Sequence, residues 1–294
     1  MRKSFVTSTI RLMERHENVV LLLCDIGVHG FKEAFQRFPD RTFNIGIMEQ
    51  STVSLAAGWA LRGYVPIVHT IAPFLVERAF EQLKIDFGYQ KLRGIFVSAG
   101  GSYDYASLGC THHCPADVAL VENIPGFSVV MPGTTAEVES ALWWSYTFHK
   151  TSYVRLSERK NTTPYPLSGF ERVQIAESKT AVNLFAVGPV LDMVVQSSKG
   201  LDVNIFYMNM AASTVVNNTN ALDVFPMAGP SIVVEPHYPS SLSRLISERH
   251  WPKPVAVRSF SIPVRFIDSY GPGREIDEKL GFTAIKLRDI IERL

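Results

Sequence analysis

Short apolar runs alternate with longer stretches whose apolar residues recur at helical spacing, and this alternation organises the first part of the chain. Residues 19–24 form an unbroken apolar run that ends at Asp25 and a turn carrying Gly27 and Gly30, the pattern of a buried strand. Residues 65–70, 94–98, 127–131 and 153–156 read the same way. Between them, 48–61, 74–87 and 136–148 carry amphipathic helical patterns. Apolar strands alternating with helices predict a parallel sheet covered on both faces. In such sheets functional groups gather beyond the carboxyl ends of the strands. Asp25, the segment around Glu49 and the loop 100–115 all fall there.

A second α/β block follows. Residues 157–172 are polar and broken by Pro164, Pro166 and Gly169, which predicts a connection between domains. Beyond it, 181–188, 203–207 and 232–234 read as strands, and 241–250 and 285–294 as helices. The expectation is an α/β protein of two domains, 1–160 and 173–294, joined by a linker at 161–172. Each is expected to be a mainly parallel sheet with helices on both faces.

Composition narrows the function classes without naming one. Apolar residues make up 46% and charged residues 19% of the 294, an ordinary globular balance. A formal net charge of +1 supplies no field to attract nucleic acid or an anionic membrane. The stretch 4–17 is too polar for the apolar part of a signal peptide, and 19–24 is too short to span a bilayer. Three cysteines, Cys24, Cys110 and Cys114, form no disulfide framework, so a reducing, cytoplasmic setting is expected. Cys110-Thr111-His112-His113-Cys114 has metal-binding residue types, but no second ligand pair accompanies it, and no metal is assigned to this chain.

Several blocks, in order, carry a more specific message. Arg41-Thr42-Phe43-Asn44-Ile45-Gly46-Ile47-Met48-Glu49-Gln50, followed by Ala56-Ala57-Gly58, resembles the pyrimidine-binding domain of transketolases. The stretch from Thr70 to Leu75, with Arg78, Glu81 and Gln82, resembles that family's next block, and Thr111-His112-His113 with Asp117 its substrate-loop histidine motif. Val187-Gly188, Met208-Asn209-Met210, Glu235, His237 and the region 266–280 extend the resemblance over nearly the whole chain.

The resemblance implies roles. Glu49 matches the glutamate that contacts the pyrimidine N1′ of thiamine diphosphate and, with it, switches on the cofactor's own chemistry. Taken alone, Glu49 is equally a carboxylate favoured at a helix N-terminus. Phe74 matches an aromatic that stacks on the aminopyrimidine, and Ile71 stands where a second aromatic is usual; an ordinary packed helix face is the alternative. Asp25, with Ile26, matches a strand-end acid near the thiazolium, or is a turn former. His112 matches the histidine that hydrogen-bonds the substrate oxygen beside the reacting carbon. Arg159 lies within one residue of the family's phosphate-binding arginine, or is a surface arginine of the linker.

Two differences from the family bear on partner and substrate. The diphosphate and its magnesium are held in this family by Gly-Asp-Gly and a later Asn, and no Gly-Asp-Gly occurs here. With only a short helix and a strand before Asp25, a partner chain is expected to carry that motif and to bind the Mg2+. The two would share thiamine diphosphate in a two-plus-two heterotetramer. Leu108 stands where transketolases place an acidic residue that reads a sugar hydroxyl, and Gly100 stands where a further histidine is expected. The expected activity is transfer of a two-carbon ketol or acyl unit to an aldehyde or sugar acceptor. The alternatives are a pyruvate-using carboligase resembling deoxyxylulose-phosphate synthase, the beta chain of a 2-oxo-acid dehydrogenase, and a catalytically silent regulatory subunit.

Overall fold

The computed structural model describes residues 1–148, 150–218, 229–250, 252, 253 and 255–294, without the side chains of 216–218. The first unit holds six strands: β1 (Val19–Leu23), β2 (Thr42–Asn44), β3 (Val65–Ile71), β4 (Ile95–Ala99), β5 (Phe127–Val130) and β6 (Thr151–Arg155). They pair in the order β2-β1-β3-β4-β6-β5, all parallel. All five residues of β1, β4 and β6 are buried, as expected of strands covered on both faces. Around them lie α1 (Arg2–Arg15), α2 (Lys32–Arg37), α3 (Glu49–Leu61), α4 (Phe80–Gln82), α5 (Asp117–Glu122) and α6 (Thr135–Thr147).

The stretch read as one helix over 74–87 departs from regular geometry. Pro73–Glu77 and Leu83–Tyr89 wind as π-helix on either side of the single turn α4. Widened turns of this kind re-aim side chains and are frequent at functional sites; Phe74 sits in the first of them. Helix α6, in contrast, starts on a reciprocal cap: Thr134 Oγ1 accepts from the Glu137 amide at 3.3 Å, and Glu137 Oε2 accepts from the Gly133 amide at 2.8 Å.

The second unit is a five-stranded sheet of β7 (Glu171–Gln174), β8 (Val182–Val187), β9 (Val203–Met208), β10 (Ser231–Glu235) and β11 (Val257–Ser261). Its order is β11-β10-β8-β9-β7, parallel except for the edge strand β7, which runs antiparallel to β9. Helices α7 (Leu191–Ser197), α8 (Ala212–Asn218), α9 (Leu242–Arg249), α10 (Gly273–Leu280) and α11 (Ala284–Ile291) complete it. β7 begins inside the segment read as linker. Its alternating half-buried and exposed residues are those of an edge strand, and give little apolar signal. β11 is the other edge and is polar for the same reason.

The two units share a core. Phe185, Phe206, Met208 and Val233 from the second sheet join the cluster built on the first. Glu137 at the start of α6 accepts from the Tyr207 hydroxyl of β9 at 2.7 Å, and the Met131 amide donates to the Asn209 carbonyl at 2.8 Å. Conversely, Tyr103 and Ala106, from the loop after β4, are buried in the second unit's core. The loop that carries His112 is therefore held between both units.

Candidate active site

In the first sheet β1 leads to β2 on one side while β3 leads to β4 on the other, a switch in strand order whose carboxyl end is the usual place for a ligand crevice in such sheets. Glu49 opens α3 beside this crevice with only 1% of its surface exposed. Its Oε1 accepts from the Thr70 hydroxyl, at the end of β3, at 3.1 Å, and its Oε2 accepts from Arg78 Nη1 at 2.6 Å. Arg78 also lies 4.1 Å from the centroid of the Phe74 ring. One guanidinium thus orients both a buried carboxylate and an aromatic wall. Each carboxylate oxygen still has a lone pair free for a further donor.

His112 meets the same cluster from the opposite loop. It ends the 3-10 turn Cys110–His112, and its ring stands edge-on to Phe74 with centroids 5.3 Å apart. Tyr105 flanks it at 6.3 Å, and Thr111 Oγ1 lies 3.0 Å from His112 Nδ1. Gly100 permits this arrangement: it adopts φ +77°, and a Cβ there would come within 2.3 Å of the Tyr105 ring. The histidine that the family places at this position would prevent Tyr105 from folding over the strand end. Ile71 is half-buried at the end of β3, 3.5 Å from that same Cβ position.

Asp25 follows β1 at φ +63°, a conformation uncommon for a residue with a side chain. Reciprocal bonds with Asn44 hold it there: the Asp25 amide donates to Asn44 Oδ1 and Asn44 Nδ2 donates to Asp25 Oδ1, both at 2.9 Å. Ile26 beside it is half-buried. Burial pushes the neighbouring Cys24 thiol up to about 11; the Thr52 hydrogen bond opposes this, and the carboxylates of Glu49 and Asp25 add to it.

The remaining sequence candidates lie further out. Leu108 is 50% exposed on the turn after Tyr105, donating its amide to the Tyr105 carbonyl at 2.9 Å. Arg159 is bound to Asp277 of α10 and donates to the Tyr103 hydroxyl at 3.0 Å, so its charge is engaged between the two units. Cys110 is exposed whereas Cys114 is buried, and among the described residues no group of three or more His, Cys, Asp or Glu is placed to hold a metal ion. The sequence blocks contain Thr70, Arg78 and Asn44 but assign them no role. Arg78 carries a signal, since it lies four residues after Phe74 in a helical stretch; the Asn44–Asp25 pair joins two strands and carries none.

The match to the family model "Transketolase, pyrimidine binding domain" spans residues 1–163. The chain belongs to this family. The fold links Glu49, Phe74 and His112 through Arg78 and ring contact, and the family implies dependence on thiamine diphosphate. Among similar proteins, the 33.6 kDa protein in the fasciation locus of Rhodococcoides fascians is 35% identical over 274 residues, 86% of this chain and 88% of its own. An apulose-4-phosphate transketolase subunit of Phocaeicola vulgatus is 25% identical over 89% of this chain and 87% of its own. A 1-deoxy-D-xylulose-5-phosphate synthase of Acidovorax is 31% identical over 62% of this chain, but the match covers only 29% of that enzyme. In fold, the chain superposes on a split-gene transketolase solved as an inactive beta4 tetramer with a TM-score of 0.84 at 20% identity, covering 99% of this chain and 97% of that one. No helix among the described residues is long and apolar enough to cross a membrane.

Proposed function

We propose that this chain is the pyrimidine-binding subunit of a split transketolase-like transferase. It moves a two-carbon ketol or acyl unit to an aldehyde or sugar acceptor. The observation that carries this reading is the buried Glu49 carboxylate, fixed by Thr70 and Arg78 beside Phe74 and His112. A buried acceptor with free lone pairs next to an aromatic wall fits the aminopyrimidine of thiamine diphosphate. When bound, the cofactor would supply the nucleophilic carbon for attack on a carbonyl. Glu49 would hold the proton on the pyrimidine N1′; Thr70 and Arg78 keep its carboxylate in one rotamer; Phe74 and Ile71 would exclude water. His112 donates to the substrate oxygen on which charge develops. Asp25 and Ile26 close the crevice beyond β1.

The described residues do not fit a magnesium site, and we assign the metal and the diphosphate to a partner chain carrying Gly-Asp-Gly and a later Asn, in a two-plus-two assembly. One relative is named as a transketolase subunit and one solved structure as a split-gene transketolase, and both support a partner. So does the exposed apolar surface beside Glu49, where Ile47 is 66% and Met48 54% exposed. Residues 161–172 join the pyrimidine-binding domain to the second domain. A pyruvate-using carboligase is the second reading, favoured by Leu108 in place of an acidic residue and by the likeness to a deoxyxylulose-phosphate synthase.

Glu49→Gln tests the central assignment. In the chain assembled with its partner, hydrogen–deuterium exchange at C2 of bound cofactor, followed by NMR, should slow by at least about a hundredfold, the range of a lost acid–base group. Unchanged exchange with folding intact would show that Glu49 has another role.

A further inference from the structure

Tyr105 occupies room that the backbone makes for it. Gly100 packs against its ring at φ +77°, and a Cβ there would come within 2.3 Å of Tyr105 Cε2. The half-buried ring stands edge-on to His112 with centroids 6.3 Å apart, and its hydroxyl accepts from Arg2 Nη1 at 3.3 Å. A cavity of about 350 Å³ opens there, beyond the carboxyl ends of β4 and β6, the end of parallel strands at which ligands are usually held. Tyr105 and Gly100 line it together with Arg2, Lys3, Lys160 and Glu158. Asp104 fixes one wall, accepting from Ser157 Oγ at 3.1 Å and from the Glu158 amide at 2.9 Å.

Two features of this lining call for a ligand. Burial, with Arg2 opposing it and Glu158 and Asp104 adding to it, raises the Tyr105 pKa, so the phenol keeps its proton. Arg2 donates to the phenol oxygen, which polarises the O–H, and that proton meets no acceptor among the described residues. The charges are also out of balance. Glu158 is paired with Arg2 at 3.3 Å, whereas Lys3 and Lys160 form no ion pair among the described residues. A free donor between unpaired cations selects a negatively charged oxygen.

We propose that Tyr105 is a specificity-determining residue of the transferase site, donating its phenol proton to an oxygen on an anionic end of the substrate, phosphate or carboxylate, held in this cavity. The inference rests on the transferase reading and names a feature of the substrate. Gly100 is what admits the tyrosine, so a side chain at 100 and the Tyr105 ring exclude one another. All the groups invoked belong to this chain, so binding can be tested without cofactor or turnover.

The full chain is titrated by calorimetry with glycerol 3-phosphate, glycerate and glycerol, while the Tyr105 ring signals are followed in 1H–13C NMR spectra. At least one of the two anions should bind saturably with Kd on the order of 1 mM and shift the Tyr105 signals, and glycerol should do neither. The tighter of the two anions names the group. Tyr105→Phe should weaken that anion about tenfold or more, the scale of a hydrogen bond to a charged group. This variant keeps the ring and every charge, so loss of general electrostatic attraction cannot produce the effect. Gly100→Ala, which pushes the ring aside, should weaken binding to the same degree, and the double variant with Tyr105→Phe should lose no more. Glycerol bound as tightly as the anions, an unchanged Kd in Tyr105→Phe, or Tyr105 signals that stay put at saturation would overturn the assignment. Slowed C2 exchange in Glu49→Gln alongside any of these results would leave the transferase reading standing, and anion binding that depends on Tyr105 alongside unchanged exchange would sink that reading alone.

Discussion

Asp117→Asn offers a direct measure of what anchors the loop that carries His112. Asp117 and Arg155 form an ion pair at 2.7 Å with side chains 0% and 1% exposed. Tyr153 donates to the same Asp117 oxygen at 2.8 Å, and Arg155 Nη2 donates to Ser102 Oγ at 2.8 Å. Ser102 in turn accepts the Cys114 amide on its carbonyl, tying the base of the loop that holds His112. Burial pulls the Arg155 guanidinium pKa down, and Asp117, with Tyr153 and Asp104, together more than reverse that. Removing the carboxylate charge leaves a buried cation without its counter-ion, which costs about 3–5 kcal/mol. Set against a total stability of about 5–15 kcal/mol, that is a large fraction. Urea unfolding followed by tryptophan fluorescence is the assay, because Trp59, Trp143 and Trp144 all belong to the first unit. The double variant Asp117→Leu/Arg155→Met should recover more than half of the single-variant loss, since the pair's desolvation cost disappears along with its attraction. Tyr153→Phe, which removes one donor, should cost only about 1 kcal/mol. An Asp117→Asn loss below about 1 kcal/mol, or a double variant as unstable as the sum of the singles, would refute the reasoning.

Three further outcomes are expected. Burial raises Glu235 from 4.5 to about 7, against bonds from Ser240. The native state therefore binds the extra proton between those values, and this group's contribution to stability falls as pH rises from 4.5 to about 7, by up to about 3 kcal/mol. Relative to the unaltered chain, Glu235→Gln should gain stability across that window, and a difference independent of pH would exclude the effect. Leu108→Asp should increase the preference of the reconstituted pair for xylulose 5-phosphate over pyruvate by about tenfold or more, the scale of one hydroxyl contact. An unchanged ratio of kcat/KM values would show that Leu108 does not control substrate choice. Finally, the chain alone should bind thiamine diphosphate and magnesium weakly in calorimetric titration, and tight one-to-one binding would contradict the sharing of the cofactor.

Central strands were legible because burial on both faces demands unbroken apolar runs, as in 19–24 and 94–98, and α3, α6, α9 and α11 by helical spacing, whereas the helices α2, α5, α7, α8 and α10, each of eight residues or fewer, were not read. The edge strands β7 and β11 escaped, since one side of each faces solvent and alternates with polar residues. The π-helical turns around Phe74 escaped too: apolar spacing marks a helix but does not distinguish a widened turn from a regular one. Within the candidate site, Glu49, Phe74 and His112 stood out through the resemblance of their sequence blocks to the transketolase family.

What the sequence determined by itself was therefore the alternating architecture, a property of local pattern, and, through family resemblance, which residues are candidates for the chemistry. Tertiary structure alone decided how those groups are held. Arg78 bridging Glu49 and Phe74, Asn44 holding Asp25 in a left-handed turn and Arg159 committed to Asp277 all depend on contacts between distant segments. Such contacts follow from strand order and packing, and no spacing along one segment encodes which distant side chain will meet it.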